Sequence, residues 1–112
     1  MKLSKFFRTA GKWTQNAMAR NINGELINFH AYNLSLGEDR ETRVESLSLQ
    51  GALAYFYSQE KEPERREKEI RKLKSAIERY TGRNLYVAEF NNSPQTTFQD
   101  VRNVLDIYEK LK

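Results

Sequence analysis

The chain has no cysteine and only one histidine, His30, among its 112 residues. The first absence removes disulfides and thiolate metal sites, and makes the cytosol the default compartment. The second leaves no zinc site of several imidazoles and a single candidate for a general base at neutral pH. Five glycines and two prolines are present, and no G-x-G-x-x-G or Walker lysine loop occurs among them, so no familiar nucleotide-binding loop is expected. No stretch approaches the ~20 apolar residues of a membrane span, and the opening MKLSKFFRTAGKWTQ contains no apolar h-region. The expectation is a soluble, unprocessed, cytoplasmic protein, with residues 1–112 forming a single domain large enough to bury one core.

Charge is present and unevenly placed. The formal net charge is +4. Residues 1–23 carry Lys2, Lys5, Arg8, Lys12 and Arg20 with no acid, whereas residues 24–59 carry five acids against two bases. A basic amino-terminal segment suits an acidic protein surface or phosphates, which makes Lys5, Arg8, Lys12 and Arg20 the candidate partner-binding residues. The plainer reading is a solvated helix face.

Leu3, Phe6, Phe7, Ala10, Trp13 and Ala17 recur at helical spacing, so a first helix is predicted from Leu3 to Arg20, with Gly11 either admitting a close neighbour or breaking it before Trp13. Asn23-Gly24 signals a turn, and ELINFHAY reads as a short strand over 25–32. Thr42 and Glu45 have capping-box spacing and predict the start of a second helix, whose Gly51 and Ala52 would let another backbone approach. A third helix is predicted over 63–81, with Pro63 in its first turn and Gly82 as its stop. Asn84 to Phe90 reads as a strand or extended segment, and residues 91–95 as a turn. Thr97 with Asp100 caps a last helix bearing Phe98, Val101, Val104, Leu105, Tyr108 and Leu111. The fold class is therefore mainly α, a compact bundle of about four helices with a short two-stranded β element; α+β is the alternative.

Three segments carry a resemblance. KWTQNAMARNINGEL is similar to Gly-Trp-x-Gln-Gly-x-x-Ala-Arg-x-x-x-Gly, LSLQGALAYF to Cys-x-x-Gly-Ala-Leu, and EFNNSPQTTFQDVRNVLDIYEKL to Trp-Asn-Asp-x-x-x-x-Thr-x-x-Asp-Val-x-x-x-Leu-Asp. In order and spacing these resemble DUF6197, a small family of unknown function found in actinobacteria and bacteriophages. The matching positions are Trp13, Gln15, Ala19, Arg20 and Gly24, then Gly51, Ala52 and Leu53, then Asn91, Thr97, Asp100 and Val101. Ser48 or a neighbour stands where the family has cysteine, Phe90 where it has tryptophan, and Asn92 where it has aspartate. The resemblance implies a compact helical fold and a phage or bacterial source, and brings no activity.

Chemistry is weighed against duller readings. His30 reads as a strand residue sooner than as a base. Glu38, Asp39 and Glu41 lack the alternate spacing of a calcium loop. Asn91, Asn92, Ser93 and Thr97 gather amides and hydroxyls before a helix N-terminus, a candidate ligand loop for a small anion, although a strand-to-helix junction needs such residues anyway. No catalytic residue, metal or cofactor is expected. The function expected is a small non-catalytic interaction protein, a phage accessory protein that binds and modulates or inhibits a host protein partner. The alternatives are a nucleic-acid-binding module using Lys2, Lys5, Arg8, Lys12, Arg65, Arg66, Lys72 and Arg79, and a small anionic ligand binder. No membrane partner is expected.

Overall fold

The computed structural model describes residues 2–27, 44–57 and 63–111. His30, the acids Glu38, Asp39 and Glu41, the capping residue Thr42 and most of the strand expected over 25–32 lie outside the described residues. Within them run helix α1 (Lys2–Phe6), a 3-10 turn (Ala10–Lys12), strands β1 (Ala19–Arg20) and β2 (Ser46–Leu47), then helices α2 (Leu49–Phe56), α3 (Pro63–Thr81), α4 (Val87–Asn92) and α5 (Phe98–Lys110). The architecture is mainly α with a two-stranded antiparallel element, Ala19 opposite Leu47 and Arg20 opposite Ser46.

The centre is the pairing of α3 with α5. Leu73, Ala76 and Ile77 of α3 and Val101, Val104, Leu105 and Tyr108 of α5 are all fully buried, at the three- and four-residue spacings that define one helix face. Gly82, at φ +74°, ends α3 where a side chain would be strained, and its amide donates to the Glu78 carbonyl at 2.8 Å. Thr97 and Asp100 form the expected reciprocal cap of α5, with Thr97 N donating to Asp100 Oδ2 at 2.8 Å. Leu3 and Phe7 of the first segment, Leu49, Ala52 and Leu53 of α2, and Val87 and Phe90 of α4 complete the core.

Three expectations change. The first helix stops at Phe6 instead of running to Arg20. Thr9 is extended (φ −128°, ψ 154°), and Arg102 of α5 donates to the carbonyls of Ser4 and Phe7 at 3.1 and 3.0 Å, closing the helix end. Beyond it Gly11 lowers helix propensity, and the chain from Trp13 gains β2 as partner, Thr14 N donating to Leu47 O at 3.1 Å. The second helix begins at Leu49, because buried Ser48 caps it (Gly51 N to Ser48 Oγ, 2.9 Å) while Ser46 and Leu47 are held in the ribbon. Finally, Val87 to Asn92 is a helix: Glu89 Oε1 accepts from Tyr86 N at 3.0 Å, and Val87, Phe90 and Asn91 are its buried side. Among the described residues the strands are 19–20 and 46–47, and the expected strand over 84–90 is replaced by the α4 helix; residues 28–32 of the expected strand over 25–32 lie outside the described residues.

Candidate functional site

Residues from all three sequence segments meet at one side chain. Asn91, the fifth residue of α4, has no solvent exposure. Its Oδ1 accepts from the Trp13 indole at 2.7 Å and from the Leu49 amide at 2.9 Å, and its Nδ2 donates to the Thr14 carbonyl at 3.0 Å and to Asn92 Oδ1 at 2.9 Å. Both acceptor directions and both donor hydrogens of the amide are thereby engaged. One side chain thus joins the extended segment after the 3-10 turn, the first turn of α2, and α4.

The neighbours extend this lattice. Gln15 Nε2 donates to the carbonyls of Asn91 and Ser93 at 3.0 and 2.7 Å, tying down the turn after α4. Asn16, at φ +62°, donates its amide to Asn92 Oδ1 at 2.8 Å; asparagine tolerates that left-handed backbone better than most residues. Arg20 points back into the fold, with Nε on Thr14 Oγ1 at 2.8 Å and one terminal nitrogen on the Gly24 carbonyl at 2.9 Å. Gly51 lies against the Met18 backbone so tightly that an added Cβ would sit 2.9 Å from its carbonyl carbon and closer still to the oxygen.

The sequence-predicted site residues therefore separate. Of the candidate partner-binding cations, Lys5 and Arg8 are exposed, Lys12 faces Glu45 at 3.5 Å, and Arg20 is held internally. Asn91 and Asn92 serve the joint; Ser93 Oγ accepts from Gln95 N at 3.4 Å, and Thr97 serves the α5 cap. Two cations of the nucleic-acid alternative also lie over rings: Arg65 is 5.2 Å from the centre of Tyr57, and Lys72 is 5.0 Å from that of Tyr108 and 3.6 Å from Glu69. Buried Tyr108 donates to Glu69 at 2.5 Å; burial, then that bond, pushes its phenol well up, so it stays neutral. No group of three or more metal-ligating side chains occurs among the described residues, and none of their helices is long and apolar enough to cross a membrane.

Two surface features remain, the second of them lined in part by Ser93 of the expected ligand loop. The first is the ribbon at residues 18–27. Leu26 bridges Arg20 antiparallel, and Ile27 N donates to Ala19 O at 3.1 Å. Strand alternation turns Ala19, Ile27 and Leu47 into the core and Met18 and Leu26 outward. Met18 is 38 % exposed, Leu26 is 68 % exposed, and Ile22 in the intervening turn is 50 % exposed. The second is a cleft of about 330 Å³ beside the α4–α5 turn, bordered by the end of α3, the 83–85 segment and α4.

A model of a family described as Family of unknown function (DUF6197) matches residues 9–109. No curated protein matches, and no solved structure does.

Proposed function

Because the chain belongs to DUF6197, a family whose function is unknown, we propose a function from geometry: a small non-catalytic interaction protein that binds a protein partner through the outer side of the 18–27 ribbon. The observation that carries this is the exposure of Met18, Ile22 and Leu26 on one short ribbon, whereas among the described residues most other large apolar side chains are buried or half-buried. Neighbouring exposed apolar side chains with a polar surround are a common mark of a protein-binding surface. The polar residues of the three motifs support the reading from the other direction, since Trp13, Gln15, Arg20 and Asn91 are joined to one another and to backbone. The finer form we propose for this function is modulation or inhibition of a host protein by a phage-encoded cytoplasmic accessory protein.

The test is retention of a partner from bacterial lysate at native salt on the immobilised protein, compared with Ile22→Asp and Leu26→Asp. Both positions are exposed, so both variants keep the wild-type melting temperature. A partner held by the wild type and released by both variants is the expected result. No partner on the wild type, or equal retention by both variants, refutes the reading.

A further inference from the structure

The cleft beside the α4–α5 turn is a second feature, independent of the ribbon. Its volume of about 330 Å³ lies at the lower end of the ~300–1,000 Å³ range of small-molecule sites, the size for a ligand of a few heavy atoms per functional group. Its lining is of two kinds. Leu85 and Phe90 are apolar, half-buried and buried respectively. Arg83, Glu89 and Asp100 bring one positive and two negative charges to the same space.

These charges differ in availability. Asp100 is committed: one oxygen accepts from Thr97 N at 2.8 Å and the other from the Tyr80 hydroxyl at 2.7 Å. The Thr97 amide, then the Tyr80 hydroxyl, hold its carboxyl below the usual range, so it remains charged. Glu89 places Oε1 on the Tyr86 amide, leaving Oε2 for a donor. The guanidinium of Arg83 has no partner among the described residues, and neither do the side-chain amide of Gln95 and the hydroxyl of Thr96. A simple anion would meet two carboxylates, and a simple cation would meet Arg83. A molecule carrying both signs side by side, with an apolar group branching from the same atom, offers an opposite charge to Arg83 and to Glu89 and an apolar face to Leu85 and Phe90.

We propose that this cleft binds a small zwitterion of the amino-acid class: carboxylate on Arg83, ammonium on Glu89, apolar side chain against Leu85 and Phe90, with Gln95 and Thr96 as further hydrogen-bonding groups. Both charges are required, which separates a free amino acid from the end of a peptide, where only one is present.

The test titrates L-leucine, L-methionine and L-phenylalanine into the full chain and follows the backbone amide resonances of Gln95 and Thr96. N-acetyl-L-leucine and L-leucinamide each remove one charge. Arg83→Gln removes an exposed, unpartnered cation, and Glu89→Gln retains the oxygen that caps Tyr86. Saturable shifts with at least one amino acid are expected, weakened about tenfold or more by either capped probe and by either variant, the effect of one lost charge-assisted hydrogen bond. No shift with any of the three at about 10 mM, well above a millimolar dissociation constant, overturns the proposal. So does equal binding of a capped probe, or an unchanged affinity in Arg83→Gln.

Discussion

Replacing Asn91 by alanine should cost more than any other single polar substitution in the described residues, and the size of the loss follows from its bonds. Asn91→Ala leaves the Leu49 amide buried without its acceptor, at about 1–3 kcal/mol for a buried unsatisfied donor. The Trp13 indole and Thr14 carbonyl lose partners in half-buried surroundings. Water relieves each in part, so each adds roughly half of that penalty. The sum is roughly 2–6 kcal/mol. Against ~0.05–0.15 kcal/mol per residue of total stability, this is a large fraction of what holds the domain folded.

Trp13 is the only tryptophan and sits on the joint, so urea unfolding followed by its fluorescence reads the perturbed contact directly. The midpoint should fall with the slope unchanged, since the surface exposed on unfolding is the same. Asn91→Asp supplies an internal control. Its carboxylate can accept from Trp13 and Leu49, yet has no hydrogen for the Thr14 carbonyl and sets a buried charge beside Asn92 Oδ1. Burial raises its pKa above the unfolded value, so the charged form opposes folding, and stability should recover as pH falls through the folded-state pKa. A loss below about 1 kcal/mol for Asn91→Ala would refute the assignment of this side chain as the joint.

Gly51→Ala drives a Cβ onto the Met18 carbonyl; backbone must move, at about 1–3 kcal/mol in chemical denaturation, and a wild-type midpoint would show that the two segments are not in contact. Asp100 has a lowered pKa, so its contribution is complete above the unfolded-state value and is lost as pH falls through the folded-state value. The acid limb of a stability–pH curve should flatten in Asp100→Asn. Arg102→Met frees the Ser4 and Phe7 carbonyls, and hydrogen exchange of the α1 amides should quicken while those of α3 and α5 do not. Asn92→Asp places a charged acceptor on the Asn16 amide and Asn91 Nδ2, and should raise the melting temperature slightly, charge-assisted bonds being the stronger kind.

Helices with strong end signals were legible. Pro63 and Gly82 bracket α3, and the Thr97–Asp100 cap opens α5, because these signals act within one turn of chain. The failures share a cause in long-range bonding. Residues 13–20 have an apolar stripe that suits a helix, but their backbone finds Leu47, Arg102 closes the helix at Phe7, and Asn92 holds Asn16, all distant in sequence. Residues 84–90 differ for another reason: a run as short as LYVAEF does not tell strand from helix by period alone. Residues 91–95 read as a turn, yet Asn91 and Asn92 close α4, leaving residues 93–96 as the turn before the Thr97 cap. Nothing local in Asn91 revealed that all four of its hydrogen-bonding directions face inward.

The departures from the family pattern fit the same geometry. Ser48 is buried and caps α2 through Gly51 N; a thiol there would be a weaker acceptor in the same place. Phe90, 3 % exposed, fills core volume as a tryptophan would. Asn92 offers one oxygen to Asn16 N and Asn91 Nδ2, which is what a carboxylate oxygen would also do. In this fold Ser48, Phe90 and Asn92 each have a packing or hydrogen-bonding role. Met18, Ile22 and Leu26 on the ribbon and Arg83, Glu89, Gln95 and Thr96 at the cleft fall between or outside the landmark residues of the three motifs, so recognition is to be sought in side chains that the motifs leave unspecified.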